Sequence, residues 1–183
     1  MILFYIIGGA VLVLILWFIA SYNNLIKLRN NTQEAYSTMD VYLKKRYDLI
    51  PNIVETVKGY AKHESETLES VIKARNAAMS ASTAEDKISA DNVLTGTLKS
   101  LFALSEAYPD LKANINFLDL QKELKKVEED IANSRKYYNA VVNIYNIKTE
   151  VIPSSIVASI CHFERKPMYL IDEGQRENIK ISF

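Results

Sequence analysis

The sequence predicts an all-α protein: an N-terminal transmembrane helix, then an antiparallel up-down four-helix bundle, then a short irregular or β-like C-terminal tail. Three observations lead there. Met1 to Ala20 carries no charged residue and is filled with Leu, Ile, Val, Phe and Trp. At a helical rise of about 1.5 Å per residue it spans about 30 Å, the hydrocarbon thickness of a bilayer. Beyond it, apolar residues recur at spacings of three and four, the helical period, with few alternating β-branched runs. Only five Gly and four Pro punctuate the chain, and the prolines are Pro51, Pro109, Pro153 and Pro167.

The anchor is placed at residues 1–21, with Ile2, Leu3, Phe4, Leu14, Trp17 and Phe18 supplying its apolar surface. Gly8 and Gly9 break the bulk and let neighbouring helices approach closely. A cleaved secretory signal wants basic residues ahead of the run and small residues at its end, whereas this run opens without charge and closes Phe18-Ile19-Ala20. A lipoprotein signal wants a cysteine just after the apolar segment, and the only cysteine is Cys161. A core helix apolar all round would need the rest of the fold wrapped around it. The expectation is therefore an uncleaved anchor in the lipid bilayer. Lys27, Arg29, Lys44, Lys45 and Arg46 follow the run and no Lys or Arg precedes it, so the positive-inside bias puts Met1 outside and the remaining chain in the cytoplasm. A single cysteine agrees with a reducing compartment. With 22 basic and 22 acidic residues the formal charge is zero, which argues against a nucleic-acid partner.

Residues 22–152 are assigned to the bundle. A first helix from about Tyr22 to about Tyr47 keeps Leu25, Leu28, Tyr36, Met39 and Leu43 on one stripe. Inside a helix Pro51 would cost about 3 kcal/mol, and at a first helical position almost nothing. A tight connection is accordingly expected near Asp48 to Ile50, with a kinked but continuous helix as the alternative. The second helix carries Ile53, Val54, Val57, Tyr60, Ala61, Leu68, Val71, Ile72 and Ala78, and ends in a small, polar turn from Ser80 to Asp86. A third runs from about Lys87 with Val93, Leu94, Leu98, Leu101, Phe102 and Leu104, and stops at Tyr108 because the residue before a proline resists helical geometry. The fourth steps through Phe117, Leu120, Leu124, Val127, Ile131, Tyr138, Val142 and Tyr145 until Pro153. Short connections make neighbouring helices antiparallel. The tail, residues 153–183, is thereby expected at the membrane-proximal end, with a short amphipathic helix around Ile156, Val157, Ile160 and Phe163 and an edge strand over Ile179 to Phe183.

The runs RYDLIPNIVETVKGYAKHE (Arg46 to Glu64), EAYPDLKAN (Glu106 to Asn114) and SRKYYNAVVNIYN (Ser134 to Asn146), following a single anchor and YNNLIKLRN, resemble the LemA family in order and spacing. The resemblance covers essentially the whole chain and departs mainly in the final MYLIDEGQRENIKISF. It implies a bacterial inner-membrane protein with one N-terminal anchor, a short outside terminus and a cytoplasmic four-helix domain. It supplies no agreed activity. One family member is linked to magnetosome formation, and family genes often lie beside those of membrane-bound metallopeptidases. The resemblance thus implies a part in organising or remodelling membranes, or a metallopeptidase partner.

Groups able to carry chemistry are few. His63 opens an HESE run, but a zincin needs a second His one turn on, and Thr67 stands there. A di-iron bundle needs Glu three residues before His, where Tyr60 and Ser159 stand instead. Cys161 and His162 are adjacent, so their side chains diverge. No metal, no cofactor and no catalytic residue is assigned.

Charges beside the apolar stripes are more informative. Arg46, Glu64, Arg75, Glu106, Glu128 and Arg135 fall near core-facing positions, where an unpaired ion would cost several kcal/mol. They are expected either to pair between helices and fix register, or to face a second protomer, with Glu106 and Glu128 as acceptors for arginines. The eleven tyrosines read as core with hydroxyls at its rim, or as an oligomer contact. Asn139 and Asn146, seven apart, share a face suited to hydrogen bonds between helices.

Three functions compete. One is a non-enzymatic, membrane-anchored scaffold that forms a homo-oligomer and organises membrane. Another is an accessory subunit of a membrane-bound peptidase or transporter. The third, a hydrolase or metal enzyme, lacks the ligand spacing.

Overall fold

A computed structural model describes residues 1–169, apart from the side chains of residues 84 and 85. All regular structure among them is helical: α1 (Ile2–Tyr60), α2 (Ser65–Ser80), α3 (Ala84–Ser105), α4 (Pro109–Lys112), α5 (Ile115–Glu150) and α6 (Ser154–Ile160). The strand expected over Ile179 to Phe183 lies outside the described residues.

The chain divides into two compact units. One comprises Met1–Thr38 and Ser134–Met168, hence the start of α1, the end of α5 and α6. The other comprises Met39–Asn133 and Tyr169.

In the first unit, α1 opens with a run long and apolar enough to cross a membrane, and none of it is buried against the rest of the chain. Ile2, Phe4 and Leu14 are 78%, 79% and 61% exposed. A core helix would show the reverse. Where the run ends, Trp17 and Phe18 pack against a cluster of Leu25, Tyr145, Val157, Ala158 and Phe163. α6 forms beside this cluster and ends by reversal of the chain. His162 adopts a left-handed φ of 54°, and Phe163 N–H and His162 N–H return to the carbonyls of Ala158 (2.9 Å) and Ser159 (3.4 Å). This is the C-terminal closure in which the residue after the turn packs back on the last helical turn. It carries Phe163 onto the edge of Tyr22 (ring centroids 5.7 Å apart) and under the guanidinium of Arg29 (5.3 Å).

In the second unit, α1 continues through Pro51 to Tyr60, the continuous course held as the alternative, in place of the connection expected near Asp48 to Ile50. Proline has no N–H for the carbonyl four residues back, which belongs to Tyr47. That carbonyl instead accepts a hydrogen bond from Arg75 Nε on α2, at 2.7 Å. A donor from another helix replaces the missing one where the helix runs on, and the break falls at residues 61–64. The residues read as one second helix are thereby shared between α1 and α2. Met39, Leu43, Ile50, Ile53 and Val57 of α1, Leu68, Val71 and Ala78 of α2, Leu94, Leu98 and Leu101 of α3, and Phe117, Leu124 and Ile131 of α5 are all buried. α3 begins at Ala84, earlier than expected, because Thr83 caps it: its Oγ accepts from Asp86 N–H (3.1 Å) and donates to the Asp86 carboxylate (2.7 Å). Asn114 starts α5 in the same way, accepting from Phe117 N–H at 2.9 Å.

Candidate functional site

The most concentrated polar chemistry in the second unit surrounds Arg46. Its side chain is completely buried, on the α1 stripe between Leu43 and Ile50. Nη1 meets Asp91 Oδ1 at 2.8 Å and Nη2 donates to Thr95 Oγ1 at 2.8 Å. Nε lies 2.9 Å from Glu128 Oε1, off the N–H direction, so this contact is an ion pair and not a directed hydrogen bond. Asp91 is fully buried as well, and its second oxygen accepts from Tyr169 O–H at 2.8 Å. Thr95 Oγ1 in turn donates to the Asp91 carbonyl at 3.0 Å. One guanidinium thus binds α1 to α3 and α5 together.

Burying these ions costs several kcal/mol each, which their mutual attraction offsets only when the remaining lone pairs are satisfied. Glu128 is 36% exposed and keeps part of its hydration. A groove of about 480 Å³ opens beside the network, with Leu98, Phe102, Leu118 and Leu124 as its apolar lining and Lys99 and Lys122 among its polar residues.

The other charges singled out in the sequence are distributed rather than gathered. Glu64 accepts from Tyr108 O–H at 3.2 Å. Partial burial of the ring, and after it the Glu64 carboxylate, raise the Tyr108 pKa. Arg75 serves the Tyr47 carbonyl. Glu106 is paired with Lys112 at the surface. Arg135 is half-buried on α5, in the first unit. Asp91, Thr95 and Tyr169 do not stand out in the sequence. Asp91 sits within the α3 apolar pattern, and a buried arginine on a facing helix is the only cue that it should be there.

In the first unit the polar side chains of α5 hold the chain that follows α6. Asn146 is 3% exposed. Its amide donates to Lys166 O and accepts from Lys166 N–H, both at 2.9 Å. Tyr138 O–H donates to Pro167 O and Tyr145 O–H to Glu164 O, each at 2.9 Å. The amide expected to bond another helix instead pairs with backbone in the manner of a neighbouring strand. Burial raises the Tyr145 pKa, Arg29 nearby opposes the shift and Glu164 adds to it.

The outward face of α5 in this unit, and the residue after its end, carry an apolar row among charged and polar neighbours. Tyr137 (56% exposed), Ile144 (52%), Ile147 (46%) and Val151 follow one another along a single stripe. No group of three His, Cys, Asp or Glu side chains suited to a metal occurs among the described residues.

Comparison with known proteins adds the family. The LemA family matches residues 35–183. The chain is 26% identical to Protein LemA of Metamycoplasma hominis over 165 residues, covering 87% of this chain and 74% of the relative. It is 24% identical to Magnetosome protein MamQ 1 and MamQ 2 of Paramagnetospirillum magneticum over 170 residues, covering 79% of this chain and 62% of each relative. The match runs through Arg46, Asp91 and Glu128 and through the segment that α5 holds, and on its extent this chain belongs to the LemA family.

Proposed function

We propose that the protein is a non-enzymatic scaffold, anchored in the bacterial inner membrane by the start of α1 and self-associating through its helical body at the cytoplasmic face. The observation that carries this reading is apolar surface the chain leaves uncovered in two places: the run before Trp17, and the α5 stripe of Tyr137, Ile144, Ile147 and Val151. Exposed apolar rows of this length mark contacts with lipid or protein. The first suits lipid by length and composition; the second, on a helix with charged neighbours, suits a second copy. The positive residues after the run favour an outside Met1 and a cytoplasmic body. The four helices joined in the second unit support an up-down bundle. The relatives named as magnetosome proteins support extending the role to organising or remodelling membrane.

Mass measurement of the full-length protein in mild detergent tests self-association. The expected result is a defined oligomer that falls to a monomer of unchanged helicity in an Ile144→Asp, Ile147→Asp variant. A wild-type monomer at micromolar concentration would end the reading.

A groove of about 640 Å³ beside Val54, Leu68 and Ile72, edged by Glu55, Lys58 and Lys73, favours a second reading as accessory subunit of a membrane-bound peptidase or transporter. Co-purification of one fixed membrane partner, in place of self-association, would favour it.

A further inference from the structure

We infer that α6 is a second membrane contact, an interfacial wedge that lies in the bilayer surface beside the point where α1 enters it. The inference rests on the anchoring role proposed for α1. α6 has two apolar sides, and the protein uses only one. Val157 and Ala158 are buried in the cluster against which Trp17 and Phe18 pack, at the end of the apolar run. On the other side, Ile156 (52% exposed) and Ile160 (62%) stand one turn apart, and Ile152 (83%) is exposed in the turn that precedes the helix. Isoleucines left in water forgo the favourable transfer of their apolar surface.

Position and charge select lipid as the occupant. The inner side of α6 touches the last aromatic residues of the run, so when that run fills the hydrocarbon core α6 lies at the depth of the headgroups. Amphipathic helices bury their apolar face about 5–10 Å into that boundary. From Val151 to Ile160 the chain holds no charged side chain, as insertion requires. Around it in the same unit stand Lys27, Arg29, Lys148 and Lys166, while Arg165 is paired with Glu150 at 2.9 Å. Glu34, Glu150 and Glu164 are the acidic residues of the unit, against Lys27, Arg29, Arg135, Lys136, Lys148, Arg165 and Lys166. The balance suits anionic headgroups, which attract basic residues close to the membrane surface. The closure at His162 and the Asn146 clamp on Lys166 hold the wedge from its C-terminal side.

The test places an environment-sensitive fluorophore on single cysteines of the full-length protein, in a Cys161→Ser background, reconstituted in vesicles of phosphatidylethanolamine and phosphatidylglycerol. The sites are Ile156→Cys and Ile160→Cys on the wedge, Leu14→Cys in the anchor and Lys136→Cys on α5, about 21 Å along the helix from its end at Glu150. The expected result is that the Ile156, Ile160 and Leu14 probes lose most of their emission to a quencher carried on the lipid, while the Lys136 probe responds to aqueous iodide. Quenching of the Ile156 and Ile160 probes by iodide alone, with Leu14 still in lipid, would overturn the wedge and leave the anchor standing. Protection from both quenchers would mean that a second copy covers the row, and would overturn it too. A Leu14 probe outside lipid would remove the anchor and the wedge together.

Discussion

Arg46 ties three helices of the second unit together, because Asp91 and Thr95 on α3 and Glu128 on α5 direct oxygen atoms at its guanidinium on α1. Removing it would take from the fully buried Asp91 carboxylate the cation that stands 2.8 Å away. Arg46→Met is expected to cost about 3–5 kcal/mol in chemical denaturation, and the Arg46→Met, Asp91→Leu pair distinctly less, since the fully buried carboxylate is then removed along with its cation and Glu128 is 36% exposed. Equal losses in single and double variants would mean that the contact is not an ion pair in solution. Tyr145 gives a pH signature in the first unit. Its pKa is raised by burial above the ordinary 10.0, so the folded state holds the phenolic proton more tightly than the unfolded chain. Its contribution is complete below about pH 10 and is lost as the pH climbs through the folded value. Urea midpoints measured from pH 8 to 11 should fall above pH 10 in the wild type, and less steeply in Tyr145→Phe. Arg46 and Glu128 are legible in the sequence as charges on apolar stripes. Their actual partners are not, because spacing along one helix says which face a residue occupies but not what stands opposite.

At the scale of the element, Pro51 is the instructive case. A proline after a good helical pattern reads as a break, and the rule behind that expectation is sound: the helix loses a hydrogen bond and meets a clash. What the rule leaves out is a donor from outside the helix. Arg75 supplies one, and it lies 28 positions along from Tyr47, beyond any local pattern. The expected outcome is a coupling of about 1–2 kcal/mol in a double-mutant cycle: Arg75→Met destabilises strongly with Pro51 present and weakly in Pro51→Ala, where the backbone N–H restored by the substitution can reach the Tyr47 carbonyl. Additive effects would remove Arg75 from this role. The α3 start shows the opposite situation. Thr83 with Asp86 three residues on is a local capping signature, and the small polar composition around it masks a helix start that the sequence does carry.

At the scale of the molecule, the helical class, the apolar leader and the short helix after Pro153 are readable because each rests on periodicity or length within a single segment. The attachment of residues 163–168 to α5 through Tyr138, Tyr145 and Asn146 is not, since hydrogen bonds to backbone leave no pattern in the sequence they bind. Around Gly8 and Gly9 the space is open: a Cβ at either would meet nothing within 4 Å. Among the described residues no close contact requires a glycine at either position. The whole account depends on the leader crossing the bilayer with the body behind it. Thiol labelling with a membrane-impermeant reagent measures this most directly, using Ile2→Cys and Lys136→Cys in a Cys161→Ser background in intact and permeabilised cells. The account predicts that position 2 is labelled in intact cells and position 136 only after permeabilisation. Labelling of position 136 in intact cells, or recovery of the protein in the soluble fraction, would contradict it.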